Sequence, residues 1–242
     1  METKKNLVCF NSEGKQVCLP SERVESMLLD HSGDRSPWRI FKIMSEFVEG
    51  FEFLSNYNKA VSFFGSARCT LKDENYKEAT KLANLLARDK FAIITGGGPG
   101  IMEAANKGAK EAHGRSVGIN IKLQTEQMVN PYVNESEEFH YFFTRKVMLS
   151  FSSQVYIFFP GGFGTMDELF EMLTLIQTGK IEKIPIILVG KDYWQPLIDF
   201  LKNTVYKNKA ISKGDLNLFY VAANAKDAHR HIKKSLTYKK TK

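Results

Sequence analysis

Two periodicities alternate along this chain. Short apolar runs rich in β-branched and aromatic residues read as strands: Val61–Phe64, Phe91–Thr95, Ser116–Ile121, Gln154–Phe159, Ile184–Val189 and Leu218–Ala222. Between them, apolar residues recur at helical spacing over Asn75–Asp89, Ile101–His113, Thr144–Ser153, a segment opening at Thr165, Trp194–Tyr206 and Ala225–Leu236. Phe139–Phe143 reads as one further short strand, and Lys122–Glu138 as a polar connection containing Asn130-Pro131. Repeated strand–helix alternation predicts an α/β fold, a mainly parallel sheet with helices on both faces. Residues 1 to about 36 are polar and unpatterned and predict a loosely structured extension. Pro37–Leu54 follows, with Trp38, Phe41, Met44, Phe47, Val48 and Phe51 at helical spacing. The expected organisation is an N-terminal extension and amphipathic helix over 1–58 and a nucleotide-binding catalytic domain over 59–242.

Ligands of such sheets bind at the carboxyl ends of the strands. Two glycine turns fall there. Gly96-Gly97-Gly98-Pro99-Gly100 follows the second strand, and Pro160-Gly161-Gly162-Phe163-Gly164 follows the run Gln154–Phe159. Each precedes a helix, whose free N–H groups and dipole suit an anion. Two such helix starts at one sheet edge suit a nucleotide phosphate. Neither turn is a P-loop, because no Gly-Lys-Ser/Thr follows. The dinucleotide fingerprint also fails: counted from Gly96, its last glycine would stand at Ile101, and Asn120 rather than an acid ends the third strand. Gly65-Ser66 after the first strand is a third candidate phosphate contact, or a plain turn. Thr165-Met166-Asp167-Glu168 has the spacing of a capping box, in which Glu168 would tie back to the Thr165 backbone.

Composition narrows the field. The chain has 242 residues, 43% hydrophobic and 25% charged, enough for one large domain with a sizeable core. No apolar run approaches a membrane span, no secretory signal is visible, and three cysteines at unrelated spacings suit a reducing, cytoplasmic setting. The histidines and cysteines show no metal-ligand spacing, so no metal is expected. The net charge of +7 lies partly in a Lys-rich tail, and no RNA-binding motif accompanies it. Neither nucleic acid nor membrane is an expected partner; an anionic small substrate is.

Thr95–Ala105, TGGGPGIMEAA, and Pro160–Glu168, PGGFGTMDE, resemble the two signature motifs of the LONELY GUY family of cytokinin-activating phosphoribohydrolases, often mislabelled lysine decarboxylases. Arg145-Lys146 matches the family's Arg-Lys pair. The resemblance covers roughly Lys59 to Tyr206, and Trp38-Arg39-Ile40-Phe41 looks like the longer bacterial members. It implies a Rossmann-like fold, a homodimer or larger homo-oligomer, no cofactor, and hydrolysis of a nucleoside 5′-monophosphate to free base and ribose 5-phosphate. It implies catalytic roles for Arg145 and Glu168. Substrate contacts are expected at Gly65, Ser66, Gly97, Gly98, Gly100, Lys146, Gly161, Gly162, Gly164 and Thr165. The acidic pair is Asp167-Glu168 rather than the commoner Glu-Glu. Tyr141-Phe142-Phe143-Thr144 replaces the acidic, His-containing run of short plant members, which makes AMP or a related nucleotide the expected substrate.

The chemistry of the residues agrees with that reading. Breaking an N-glycosidic bond builds positive charge on the ribose, and a carboxylate there stabilises it or activates water. A guanidinium binds phosphate or a ribose hydroxyl. Arg145 in a surface ion pair, and Met102 and Met148 as plain core residues, are the competing structural readings. A pyridoxal-phosphate decarboxylase would need a Schiff-base lysine in its own cofactor pocket, which Lys146 beside Arg145 does not resemble. The rival from another class is a non-catalytic nucleotide-binding regulator using the same two turns.

Overall fold

The computed structural model describes residues 7–12, 15–20, 38–122 and 129–239. Two compact units divide the chain, Met1–Met44 and Ser45–Lys242. In the first, β1 (Leu7–Ser12) and β2 (Lys15–Pro20) form an antiparallel hairpin. This corrects the expectation of an extension without regular structure. Each strand is only six residues long, and Asn, Gln and Ser interrupt the apolar positions that would otherwise betray it. The remainder of the expected extension, including Ser32-Gly33-Asp34, and the lysines at 240 and 242 lie outside the described residues.

Helix α1 (Trp38–Ser55) begins in the first unit and continues into the second. The second unit then alternates as expected: β3 (Ala60–Phe64), α2 (Glu74–Arg88), β4 (Ala92–Thr95), α3 (Ile101–Glu111), β5 (Ser116–Ile121), β6 (Glu135–Phe139), α4 (Phe142–Phe151), β7 (Val155–Phe158), α5 (Phe163–Gln177), β8 (Ile186–Val189), α6 (Lys191–Phe200), β9 (Phe219–Ala222) and α7 (Ala225–Lys239). Every neighbouring pair in the seven-stranded sheet is parallel, in the order β6-β5-β4-β3-β7-β8-β9. The chain starts in the middle and winds first one way, then the other. The topological switch therefore lies between β3 and β7, where ligands of doubly wound sheets bind. No described helix is long and apolar enough to cross a membrane.

Strand alternation sorts the core into two layers. Val61 and Phe63 of β3, Ile93 of β4, Val155 and Ile157 of β7 and Ile187 of β8 pack under α2, α3 and α7. Ala60 and Ile94 face the other way, towards Phe47, Phe53 and Leu54 of α1 and Met148 and Leu149 of α4. Tyr156, Phe158 and Leu188 cover that face with Leu169, Met172 and Ile176 of α5 and Trp194 of α6. Both faces are thus buried, which is why the strands read as continuous apolar runs.

Two boundaries differ from expectation. The strand placed at Phe139–Phe143 lies earlier, at Glu135–Phe139, and α4 correspondingly starts at Phe142. Glu135-Ser136-Glu137-Glu138 is wholly polar because β6 is an edge strand, paired among the described residues with β5 alone. The helix expected over Trp194–Tyr206 starts at Lys191, after Gly190 at φ +100°, and its last turn, Leu201–Tyr206, is a wider π-helical turn.

Candidate active site

All seven strands of the parallel sheet point the same way, so the turns after β3, β4 and β7 meet at one edge. The Ser66 N–H donates to the Pro160 carbonyl (3.0 Å), and the Ile101 N–H donates to the Ser66 carbonyl (3.0 Å). These bonds join Gly65-Ser66 to both glycine turns. The glycines are required by proximity. A Cβ on Gly100, at φ +73°, would lie 2.2 Å from the Ser66 carbonyl oxygen. One on Gly161 would lie 2.1 Å from Thr165 Oγ1. Gly162 and Gly164 differ, because a Cβ on either would meet open space. Neither α3 nor α5 has a side-chain N-cap; their capping positions are Gly100 and Gly162. Helix starts that no side chain closes, with a positive dipole end, are the elements of an anion site, although the Ile101 N–H is already taken by the Ser66 carbonyl.

The α5 start removes the capping-box reading of Glu168. The helix begins at Phe163, two residues before Thr165, so Thr165 and Glu168 both lie inside it. Glu168 is 8% exposed. Its Oε1 lies 3.3 Å from Lys146 Nζ, and its buried Oε2 has no hydrogen-bond partner among the described residues. Leaving a buried acceptor unmet costs about 1–3 kcal/mol, and more for an ion. Burial pushes the Glu168 carboxyl up to about 7, with the nearby Lys146 cation opposing and the Glu171 and Asp167 charges reinforcing the rise. Environments that raise a carboxyl into the neutral range cluster at catalytic sites.

Arg145 lies in the second turn of α4. Its Nε donates to the Ile119 carbonyl (2.8 Å) and its Nη2 to the Gly96 carbonyl (3.3 Å). It therefore bridges the ends of β5 and β4 rather than forming a surface ion pair. Burial lowers its pKa below the usual guanidinium range, while the Glu168 charge opposes that fall. A Cβ on Gly96 would sit 2.3 Å from Nη2, so this glycine is what admits the guanidinium to the turn. Met102 Sδ would also lie 2.9 Å from such a Cβ, which puts Met102 at the same turn, whereas Met148 is core under Gly50 and Phe139.

Lys146, the neighbour of Arg145, contacts three carboxylates on α5: Asp167 (2.6 Å), Glu171 (2.8 Å) and Glu168 (3.3 Å). Burial works against its charge, but the bonds to Asp167 and Glu171 and the field of Glu168 hold it above the usual lysine range. Lys146 thus couples α4 to α5 and holds the Glu168 pKa down. Lys146→Met should therefore move Glu168 further up. If the carboxylate form is the active one, the acidic limb of kcat/KM should shift to higher pH in this variant. A pH–rate profile checks it; an unmoved limb would mean Lys146 does not tune the carboxylate.

Sequence patterning missed the polar network under the first turn. Asn130 Nδ2 lies 3.0 Å from the carbonyls of Gly97 and Gly98 and from Asn106 Oδ1. Thr95 Oγ1 donates to Asn106 Oδ1 (2.7 Å) and accepts from the Gly97 N–H (2.9 Å). Asn120 packs so close to Gly97, at φ +74°, that a Cβ there would fall 1.7 Å from Asn120 Oδ1. The only available signal was Asn130-Pro131, which reads locally as a turn. Among the described residues, no group of three His, Cys, Asp or Glu is placed to hold a metal ion.

A family model described as "possible lysine decarboxylase" matches residues 102–232, more than half of the chain. A cytokinin riboside 5′-monophosphate phosphoribohydrolase of Arabidopsis thaliana is 29% identical over 177 residues, 72% of this chain and 76% of that protein. A pyrimidine/purine nucleotide 5′-monophosphate nucleosidase of Escherichia coli is 30% identical over 153 residues, covering 57% of this chain but only 34% of that longer protein. Among solved structures, the molybdenum cofactor binding protein of Rippkaea orientalis superposes with a TM-score of 0.55 at 24% identity, over 74% of this chain and 98% of that one. At that identity the likeness speaks for the fold, a Rossmann-like sheet, and for nothing more. The chain belongs to the LONELY GUY family, the group whose sequence model carries the "possible lysine decarboxylase" description.

Proposed function

We propose that this protein hydrolyses the N-glycosidic bond of nucleoside 5′-monophosphates, releasing the free base and ribose 5-phosphate. The observation that carries the reading is Glu168. It is a buried, under-bonded carboxylate one turn inside an uncapped helix start, within the electrostatic reach of Arg145. Its chemistry matches the activities for which the relatives from A. thaliana and E. coli are named.

In this reading the 5′-phosphate occupies the N–H groups that open α3 and α5, with Gly65, Ser66, Gly97, Gly98, Gly100, Gly161, Gly162, Gly164 and Thr165 around it. Arg145 binds the anion or a ribose hydroxyl. As the C1′–N bond breaks, its electron pair leaves with the base and positive charge grows on the ribose. Glu168 faces that charge as a carboxylate and orients the attacking water. The water oxygen bonds to C1′ and its proton ends on the base, so the reaction consumes only water and needs no metal or cofactor. AMP is the substrate this reading favours, ahead of a cytokinin riboside monophosphate, because Tyr141-Phe142-Phe143-Thr144 stands before the Arg-Lys pair. A cytosolic location suits such a substrate.

AMP should be cleaved on the order of a hundredfold faster than adenosine, because binding energy from the remote phosphate is used to lower the barrier. A panel of nucleoside monophosphates and their nucleosides, assayed for free base, tests this. Equal turnover of adenosine would remove the phosphate from the mechanism.

The same reading includes at least a homodimer. The helices that carry Arg145 and Glu168 expose Phe142, Phe143, Phe151 and Phe170, and Phe163 at the mouth of the second turn is 96% exposed. Leu169, Met172 and Ile176 of α5 are already used in the chain's own core. Exposed aromatics on the two helices that carry the site suit an interaction surface, and a second copy is the occupant we propose. Light scattering should return a mass of at least twice 27.5 kDa; a monomer at micromolar concentration would contradict it.

A further inference from the structure

The helix carrying Arg145 and Lys146 has no cap of its own. Its N-cap position is Tyr141, which makes no side-chain capping bond. The cap comes instead from Glu46 on α1, more than ninety positions earlier in the chain. Glu46 Oε1 accepts from the His140 N–H (2.7 Å) and Oε2 from the Tyr141 N–H (3.3 Å). The Thr144 hydroxyl, 2.7 Å from the Tyr141 carbonyl, also contacts Glu46 Oε2. One carboxylate thus holds the entry, the capping position and the first turn of α4. Its charge also suits the positive end of the helix dipole.

Arg145 is the next residue, and its own N–H closes the first helical bond onto the Tyr141 carbonyl (3.2 Å). One turn after Glu46, Gly50 lets α1 lie directly on the α4 core. A Cβ there would come within 2.6 Å of Met148 Sδ and 2.9 Å of the Phe139 ring. The geometry points to Glu46 as a positioning residue for Arg145: we propose that α1 is part of the active-site scaffold, setting through Glu46 where the guanidinium meets the ends of β4 and β5. This rests on the proposed reaction for its assay, but not for its geometry.

The test compares two helix caps of the same chain. Asn224 Oδ1 accepts from the Asp227 N–H (3.0 Å) at the start of α7, and Asn224 takes no part in the candidate site. Glu46→Ala and Asn224→Ala should each lower the melting temperature by a few degrees, the usual scale of a lost cap. Glu46→Ala should in addition lower kcat/KM for AMP about tenfold or more, since small misplacements of a catalytic group are costly. Asn224→Ala should leave kcat/KM unchanged. Glu46→Gln keeps one acceptor oxygen and should fall between wild type and Glu46→Ala; it carries the comparison should the alanine variant not fold. In an Arg145→Ala background, Glu46→Ala should cost nothing further in kcat/KM. Equal kcat/KM for Glu46→Ala and Asn224→Ala, or a full additional loss in the Arg145→Ala background, would overturn the proposal. Should wild type release no base from any nucleotide, the proposed reaction fails, and the same variants are ranked by AMP affinity. Weaker binding in Glu46→Ala alone would still support the positioning role, and equal affinity would overturn it.

Discussion

Glu168→Gln should lower turnover of AMP at least a hundredfold while leaving the fold intact. The change keeps the shape of the side chain and removes only its charge, the property that would meet the developing ribose cation. Loss of one well-placed electrostatic or acid–base group is worth on the order of 10²–10³ in rate. Binding of AMP should survive or tighten, because a carboxylate near a phosphate is repulsive in the ground state. Stability should move the opposite way from activity. Folding raises the Glu168 carboxyl to about 7, so the folded state favours its protonated form. That contribution is full below the ordinary glutamate range and is lost as pH rises through about 7. The neutral glutamine escapes the loss. The unfolding free energy of the variant should therefore gain on wild type between about pH 5 and pH 8, by an amount on the order of 3 kcal/mol at most, with the melting temperature rising in step. Paired melting curves and kinetic constants at several pH values check both halves. Wild-type turnover in a well-folded variant would leave Glu168 with a structural role only.

Arg145→Ala should differ in kind. It removes a cation from the anion site and also two donors, from Ile119 O and Gly96 O. KM should rise, kcat should fall, and kcat/KM should drop on the order of a thousandfold. Stability should also fall, since a buried acceptor left unmet costs about 1–3 kcal/mol. Arg145→Lys should rescue little, because an ammonium on a flexible stem cannot bridge two carbonyls with a fixed planar fork. Steady-state kinetics on both variants decide this. An alanine variant with wild-type KM and kcat would return Arg145 to the role of a structural bridge.

Much of this was legible in the chain because the physics is local. A parallel strand buried on both faces is a continuous apolar run, as at Tyr156–Phe158, and a turn that nearly touches its neighbour must be glycine, as at Gly100 and Gly161. Tertiary events were not legible. The capping-box pattern at Thr165–Glu168 is a correct local signal overridden by the turn, because α5 starts early on Phe163-Gly164, a pair that reads as loop. Strand β6 was hidden because an edge strand can be polar. Lys146, expected to face a substrate, is held by three carboxylates from another helix, one of them Glu168. Asn130 and Glu46 act across 33 and 94 positions, on Gly97 and His140, and no periodicity reaches that far.

The central claim is that this site breaks the N-glycosidic bond of a nucleoside 5′-monophosphate. Its most direct test is the identity of the products when wild type is incubated with AMP alone, with Glu168→Gln in parallel. Wild type should release adenine and ribose 5-phosphate in equal amounts, and the variant at least a hundredfold less of each. Bound AMP with no adenine released would contradict it and leave a nucleotide-binding regulator in its place.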